Sequence, residues 1–389
     1  VRLTHPDGST VHLAYCTNVH PAESLDGVLA QLARYCEPVR RRLGADRLGV
    51  GLWLARDAVR ALNADPAAPR RLRTELERRG LEVVTLNGFP YEGFGAGVVK
   101  YRVYRPDWSD PERLEYTSDL ARLLARLLPA DVTEGTVSTL PLAWRTGFDE
   151  AAADAAHRAL SELARRLDHV EQETGRSIRV ALEPEPGCAV ETTADALAPL
   201  AALPGHRIGL CLDTCHLATG FEDPVRALAA LDRAGIAVPK VQLSAALHAG
   251  DPRDPAVLSA LAAFDEPRFL HQTRARADGV LHGTDDLGQA LAGGVLPDTV
   301  PWRAHFHVPL HAPPAPPLSS TLDVLRETLA ALVGGPTARS THFEVETYTW
   351  QALPPAARPV TGAELADGIA AELQLARDLL TDLGLKEQP

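Results

Sequence analysis

Methionine is absent from the 389 residues, and lysine occurs only at positions 100, 240 and 386. The other basic residues, out of 39, are arginines, a bias that reads as genome composition. Cations are also in deficit, because 51 acidic residues against 39 basic ones leave a net charge of −12. Such a chain lacks the basic surface that sequence-independent nucleic-acid binding needs, so no nucleic-acid partner is expected. No run of 18 apolar residues occurs, which excludes a membrane-spanning helix. The segment from Val1 to Gly8 lacks the apolar core of a signal peptide. Cys16, Cys36, Cys188, Cys211 and Cys215 are odd in number and form no CxxC pair. Free thiols and a reducing, cytoplasmic compartment are expected.

What is present is ordinary for a globular protein, with 45% hydrophobic and 23% charged residues. Short apolar runs alternate with long amphipathic stretches. Strands are predicted over His12–Val19, Leu48–Leu54, Glu82–Leu86, Gly135–Leu140, Arg179–Glu183, Arg207–Asp213, Val238–Leu243 and His342–Tyr348. Most are apolar throughout, as strands buried on both faces must be. Spacing of three and four between apolar residues predicts helices over Ser24–Leu43, Pro111–Leu128, Asp149–Gly175, Thr192–Leu203, Asp223–Ala234 and Thr361–Leu383. Alternation of this kind means right-handed βαβ units and a parallel sheet. Eight units fit an α/β fold of the (β/α)8 TIM-barrel type, with residues 1–389 as one domain. A doubly wound open sheet is the rival, but it wants a glycine-rich phosphate turn after its first strand. That position reads Tyr15-Cys-Thr-Asn-Val-His20 and holds no glycine.

The period breaks once. About a hundred residues separate strand seven from strand eight, far more than one helix needs. This stretch, roughly 250–340, reads as an elaborated loop over the C-terminal face, where barrel enzymes keep their sites. Within it Ala256–Phe264 and Ser319–Val333 look helical, and Trp302–His311 alternates like a strand.

Polar groups at the C-terminal strand ends converge in a barrel. Reading those ends yields Asn18 and His20, then Asn87, then Glu183 and Glu185, then Asp213 and His216, then Gln242 and Ser244, and last Glu344 and Glu346. A carboxylate on an apolar strand is partly buried, and a lone buried charge is costly. Glu183, Asp213 and Glu346 would repel one another unless a cation sat between them, and a divalent metal is the economical answer. Arginine salt bridges are the structural alternative. With His216 three residues beyond Asp213, mixed oxygen and nitrogen ligation suits Mn²⁺, Zn²⁺, Fe²⁺ or Co²⁺, with Mg²⁺ if histidine does not ligate. Half of the 14 histidines fall in residues 248–342. His305 and His307 share a face if that segment is a strand, and His307 is the first choice to close the site. Glu185 reads as a general base or as a loop charge. Phe89, Tyr91, Phe94, Tyr104, Trp144, Tyr348 and Trp350 wall an apolar pocket or simply pack. Cys211 and Cys215, on either side of Asp213, read as core.

Leu182-Glu-Pro-Glu-Pro-Gly187, Leu212-Asp-Thr-Cys-His216 and Phe343-Glu-Val-Glu-Thr-Tyr348 resemble the xylose-isomerase-like barrel superfamily of sugar isomerases, sugar epimerases and endonuclease-IV-type nucleases. Together with Asn87-Gly-Phe-Pro-Tyr91, Phe269-Leu-His-Gln272 and His305-Phe-His-Val-Pro-Leu-His311, nearly the whole chain resembles the EboE-type metabolite-traffic proteins of secondary metabolism. The resemblance to the epimerases implies one divalent metal on Glu183, Asp213, the strand-seven position and Glu346. It implies His216 as a substrate contact, and Glu183 and Glu346 as the groups that exchange the proton. Strand seven departs from the pattern, since Gln242 stands where a histidine is expected. His248 stands where the epimerases place a substrate-binding arginine. Asn87, Glu185, His248 and Trp144 are the expected substrate contacts. His216 joins Glu183 and Glu346 as catalytic, and Glu183, Asp213, Gln242, Glu346 and His307 are the expected metal ligands.

These readings converge on a metal-dependent isomerase or epimerase for a sugar, polyol or secondary-metabolite precursor, working by proton transfer through an enediolate. The alternative is a non-catalytic metabolite-binding component with a degenerate metal site, which Gln242 favours. A phosphodiesterase of the endonuclease IV type ranks third, because it needs more barrel histidines and suits the −12 charge poorly. The partner expected is a small molecule, and the sequence permits a homodimer.

Overall fold

The run Leu48-Gly-Val-Gly-Leu-Trp53 is buried at every residue. A strand with no solvated face needs cover on both sides, which a barrel wall supplies. The computed structural model, which describes residues 1–20 and 22–388, places it there. The barrel strands are β1 (Thr10–Cys16), β2 (Leu48–Trp53), β3 (Leu81–Glu82 and Thr85–Asn87), β4 (Glu134–Thr139), β5 (Ser177–Leu182), β6 (Ile208–Asp213), β7 (Lys240–Leu243) and β8 (His342–Val345). All pair in parallel, and β8 closes the ring with Val345 opposite Tyr15 of β1 and Glu344 opposite Gln242 of β7. The expected (β/α)8 barrel is therefore present.

The helices start and stop where their caps allow. Ser24, Asp110 and Asp149 each accept a backbone N–H at a helix start. Thr192 and Thr361 form full capping boxes with Asp195 and Glu364. The first predicted helix is not uniform. Pro38 removes a backbone donor, and Leu32–Cys36 widens into a π turn between two α segments.

Three differences from expectation bear on the site. β1 stops at Cys16 and Thr17–Val19 form a 3-10 turn, which swings Asn18 inward. β8 ends at Val345, so Tyr348 sits on a following 3-10 turn. Only Trp302–Ala304 of the predicted strand Trp302–His311 is a strand. Beyond it the backbone is tied to segments on both sides, His305 N–H to the Gln272 carbonyl and Val308 N–H to the Ala245 carbonyl.

The long insertion has its own antiparallel sheet. Its strands lie in the order Val280–Thr284, Thr273–Ala277, Trp302–Ala304, Leu247–Ala249, Leu318–Ser320. Helices Pro255–Ala262, Leu287–Leu291 and Leu322–Val333 accompany it. No helix among the described residues is long and apolar enough to cross a membrane.

Deep in the barrel, Lys240 and Glu344 are both fully buried and lie 2.5 Å apart. The ammonium also donates to the Leu86 carbonyl and to Ser138 Oγ. Burial alone would lower the Lys240 pKa, but Glu344 and two nearby thiols hold it above its ordinary value. Gly51 makes the pair fit, because a Cβ there would lie 1.5 Å from Glu344 Oε1. Removing one partner of such a pair strands the other charge. Lys240→Met is expected to lower stability by about 3–5 kcal/mol in chemical unfolding, and adding Glu344→Gln to restore much of it.

Glu372, on the last helix, ties the end of the insertion to the turn after β8. Its carboxylate accepts from Leu310 N–H at 2.9 Å, Thr347 Oγ1 at 2.7 Å and Trp350 Nε1 at 3.2 Å. Burial outweighs these donors and pushes its pKa from 4.5 up to about 7. Folding thus favours the protonated form. Its contribution to stability is complete below about pH 4.5 and is lost as pH rises toward 7, by roughly 3 kcal/mol at most. Urea midpoints compared at pH 5 and pH 8 should fall less in Glu372→Gln than in the native chain.

Candidate active site

Each strand end delivers its side chain by a local device. Glu183 N–H bonds the Thr139 carbonyl at 3.0 Å, which carries the β4–β5 ladder one residue past β5. The turn that follows closes on Gly187, whose φ of 91° and missing Cβ admit the ring of Trp144, 2.2 Å from where a Cβ would stand. Asp213 ends β6 and caps the short helix Thr214–Thr219, with Oδ1 accepting from His216 N–H at 2.9 Å and from Ser244 Oγ at 2.8 Å. Glu346 N–H bonds the Leu243 carbonyl at 3.1 Å. Its carboxylate accepts from the side-chain amides of Asn18, at 2.7 Å, and Asn87, at 2.8 Å.

Glu183, Asp213 and Glu346 bring one oxygen each to within 4.8 Å of one another, and all three residues are buried. Their electrostatics are unbalanced. Glu183 Oε2, Asp213 Oδ2 and both polar atoms of Gln242 are buried without a hydrogen-bond partner. Burial first, and then the neighbouring carboxylates, push Glu183 and Glu346 well above the usual carboxylate range. Without a cation such a cluster keeps protons; a divalent ion would replace them. The donor set, with three carboxylates and a neutral amide, fits a hard or borderline ion.

A cleft partly open to solvent lies over this cluster. Glu183, Glu185, His216, His305, His307 and Glu346 form its polar lining, with Asn18, Asn87, Lys100 and Tyr104. Phe89, Phe94, Phe269 and Tyr348 form the apolar side. Glu185 accepts from Tyr104 Oη at 2.6 Å, and burial pushes its pKa up to about 8. Burial also lowers His216 to about 4 and His307 below its ordinary value, so both imidazoles are neutral.

The structure thus brings together Glu183, Asp213, His216, Glu346, His307, Asn87 and Glu185. Gln242 is fully buried on β7, opposite Asp213 on one side and Glu344 on the other. Two expected substrate contacts stand elsewhere. His248 lies in the insertion sheet, where its Nδ1 accepts from Arg303 Nε, and it does not line the cleft. After Ser244 the chain enters that sheet at Leu247, where His248 pairs with Arg303 and Ser319. Trp144 does not line the cleft; its ring lies 4.8 Å from that of Tyr104, which does. Sequence reasoning did not pair Asn18 and Asn87 with Glu346, nor connect Gln272, Tyr104 and Glu185. Gln272 donates to Tyr104 Oη at 2.8 Å and to the Pro186 carbonyl at 2.8 Å. The only signal for that network was the motif ending at Gln272.

A parallel eight-stranded barrel with a buried acidic cluster at its C-terminal mouth is a TIM barrel with a candidate metal site. The chain belongs to the xylose isomerase-like TIM barrel family, which its residues 41–256 match. That segment includes Glu183, Asp213 and Gln242 and ends before His305, His307 and Glu346. A search of curated proteins gives no match. Among solved structures, a xylose isomerase-like TIM barrel protein from Mycobacterium smegmatis, in complex with magnesium, is similar. Its TM-score is 0.52 at 15% identity, over 95% of this chain and 98% of that one. A protein of Anabaena variabilis, assigned by name to the sugar phosphate isomerases/epimerases, has a TM-score of 0.51 at 14% identity, over 97% and 100%. Both likenesses speak to the fold.

Asn87→Ala leaves Glu346 with one of its two amide donors. Competition against a chelator is expected to show divalent-metal affinity about 10–100-fold weaker, with the fold retained by circular dichroism.

Proposed function

We propose that the chain is a divalent-metal-dependent enzyme of the isomerase or epimerase type, acting on a small polyhydroxylated carbonyl compound. The observation that carries this reading is the meeting of Glu183, Asp213 and Glu346, buried and with oxygens left unpartnered, beneath an open cleft. A divalent ion on those three residues, with Gln242 as the neutral neighbour, supplies a Lewis acid for carbonyl and hydroxyl oxygens. The chain's own groups move the proton. Glu183 and Glu346 approach from different strands, and Glu346 has one oxygen tied by two amides and the other without a protein donor. A proton taken from carbon by one carboxylate and returned by the other inverts or relocates that centre. Glu185, held protonated near neutral pH by burial, donates toward substrate oxygen.

The charge of the lining narrows the substrate. Lys100 is its one cation among the described residues, and Lys100 is ion-paired with Asp286. A phosphate finds no free protein cation there. The aromatic side suits the C–H face of a ring. A neutral sugar or polyol is the expected ligand. The resemblance to EboE-type proteins supports a role in secondary-metabolite precursor metabolism or traffic. Gln242, a weaker ligand than histidine, favours one other reading, a metabolite-binding component without turnover.

Solvent-deuterium incorporation separates the two. The metal-loaded chain, offered ketoses and aldoses with and without phosphate, should label the unphosphorylated ones. Glu183→Gln and Glu346→Gln should each reduce labelling at least 100-fold, in the range that general acid–base groups contribute (about 10²–10⁴). Binding by calorimetry without label in any sugar would instead establish the non-catalytic reading.

A further inference from the structure

The barrel has a second mouth, at the N-terminal ends of its strands and away from the acidic cluster. A cavity there is lined by Thr136 near the start of β4, Arg179 near the start of β5, Pro239 just before β7, and Ser340 and His342 at the approach to β8. Alternation along β5 sets Arg179 on the same face as Glu183, but at the other end of the strand.

Arg179 is a cation without a counter-charge. Its guanidinium makes one hydrogen bond among the described residues, from Nη2 to the Gly205 carbonyl at 3.0 Å, and its Nε is buried with no partner. Burial works against the charge, Glu134 offsets part of this from a distance, and Arg207 adds to it. Other carboxylates are engaged. Arg207 holds Asp168 and Glu171, and Arg339 holds Asp232. Glu134 is the one acid in the lining, and it is exposed and makes no ion pair with Arg179 among the described residues.

Ser340 supplies an independent observation. It is only 3% exposed and lines the same cavity, yet its Oγ has no hydrogen-bond partner. Leaving a buried hydroxyl unpaired is costly unless something in the cavity pairs with it. His342 adds no positive charge. Burial first, and then His12, Lys240 and Arg179, hold its pKa well below the ordinary value, and its Nδ1 lies 2.8 Å from Thr136 Oγ1. A planar guanidinium fork beside a free hydroxyl complements a group with two or more acceptor oxygens and a negative charge. Gly135, Pro239 and Ala338 are the apolar residues of the lining, too little surface to grip a large ligand.

We propose that this N-terminal mouth binds a small oxyanion, a phosphate or a carboxylate group, through the Arg179 fork and the Ser340 hydroxyl. The site is independent of the reading given for the cleft, since the length of β5 separates Arg179 from Glu183.

Calorimetric titration of the full-length chain with inorganic phosphate, and separately with malonate, tests this at constant ionic strength and with chelator present. One saturable site per chain is expected. Arg179→Gln and Ser340→Ala should each weaken it, Arg179→Gln by about 10-fold or more, the loss that a hydrogen-bonded charge entails. Glu183→Gln should leave it unchanged, which separates it from binding in the cleft. Tighter phosphate binding assigns a phosphate group, and tighter malonate binding assigns a carboxylate. Circular dichroism checks folding, and if Arg179→Gln does not fold, Ser340→Ala reads the same site. No saturable binding of either anion, or an affinity indifferent to Arg179 and Ser340, overturns the proposal. So does an affinity lost in Glu183→Gln.

Discussion

Carboxylates crowded into a dry cavity set the terms for everything around them. Lys240 neutralises Glu344 deep in the barrel. Nearer the mouth, Glu183, Asp213 and Glu346 meet with only neutral donors in contact, and protein cations are spent elsewhere. Coulomb repulsion at this range in a poorly screened interior is large, so protons or a metal must intervene. The surrounding structure holds the cluster against that repulsion. Asn18 and Asn87 fasten Glu346, Ser244 and a helix start fasten Asp213, and the β4–β5 ladder fastens Glu183.

The insertion completes the site. Phe269 and Leu270 line the cleft from it, and the irregular segment after Ala304 carries two imidazoles there. Those rings are aimed by backbone oxygens and by Gln272, an arrangement that sets the tautomer as well as the direction. Barrel wall and insertion therefore contribute different groups to the cleft, carboxylates and His216 from the strand ends, His305 and His307 from the loop. Glu372 locks the two parts together through Leu310, Thr347 and Trp350.

Much of this was legible beforehand. Leu48–Trp53 and Ile208–Asp213 announce themselves as buried strands because a two-sided apolar run has no other stable place. The capping residues Asp110, Asp149 and Thr361 mark helix starts through hydrogen bonds made within a single turn. Glu183, Asp213 and Glu346 stood out because a carboxylate at the end of an apolar strand needs compensation. His248 and Trp144, expected at the substrate, do not line the cleft. Nothing local tells whether a residue a few positions past a strand end turns into the mouth or away from it.

By itself, then, the chain determined the alternation of strands and helices, the ring they close and the acidic strand ends, since each depends on periodicity and near-neighbour chemistry. Tertiary structure alone decided that Gly51 makes room for Glu344, that Asn18 and Asn87 both reach Glu346, and that His216 meets His305 and His307. Those contacts join residues from 2 to more than 300 positions apart. Their geometry follows from how eight strands tilt around a common axis and how one long loop folds back across them.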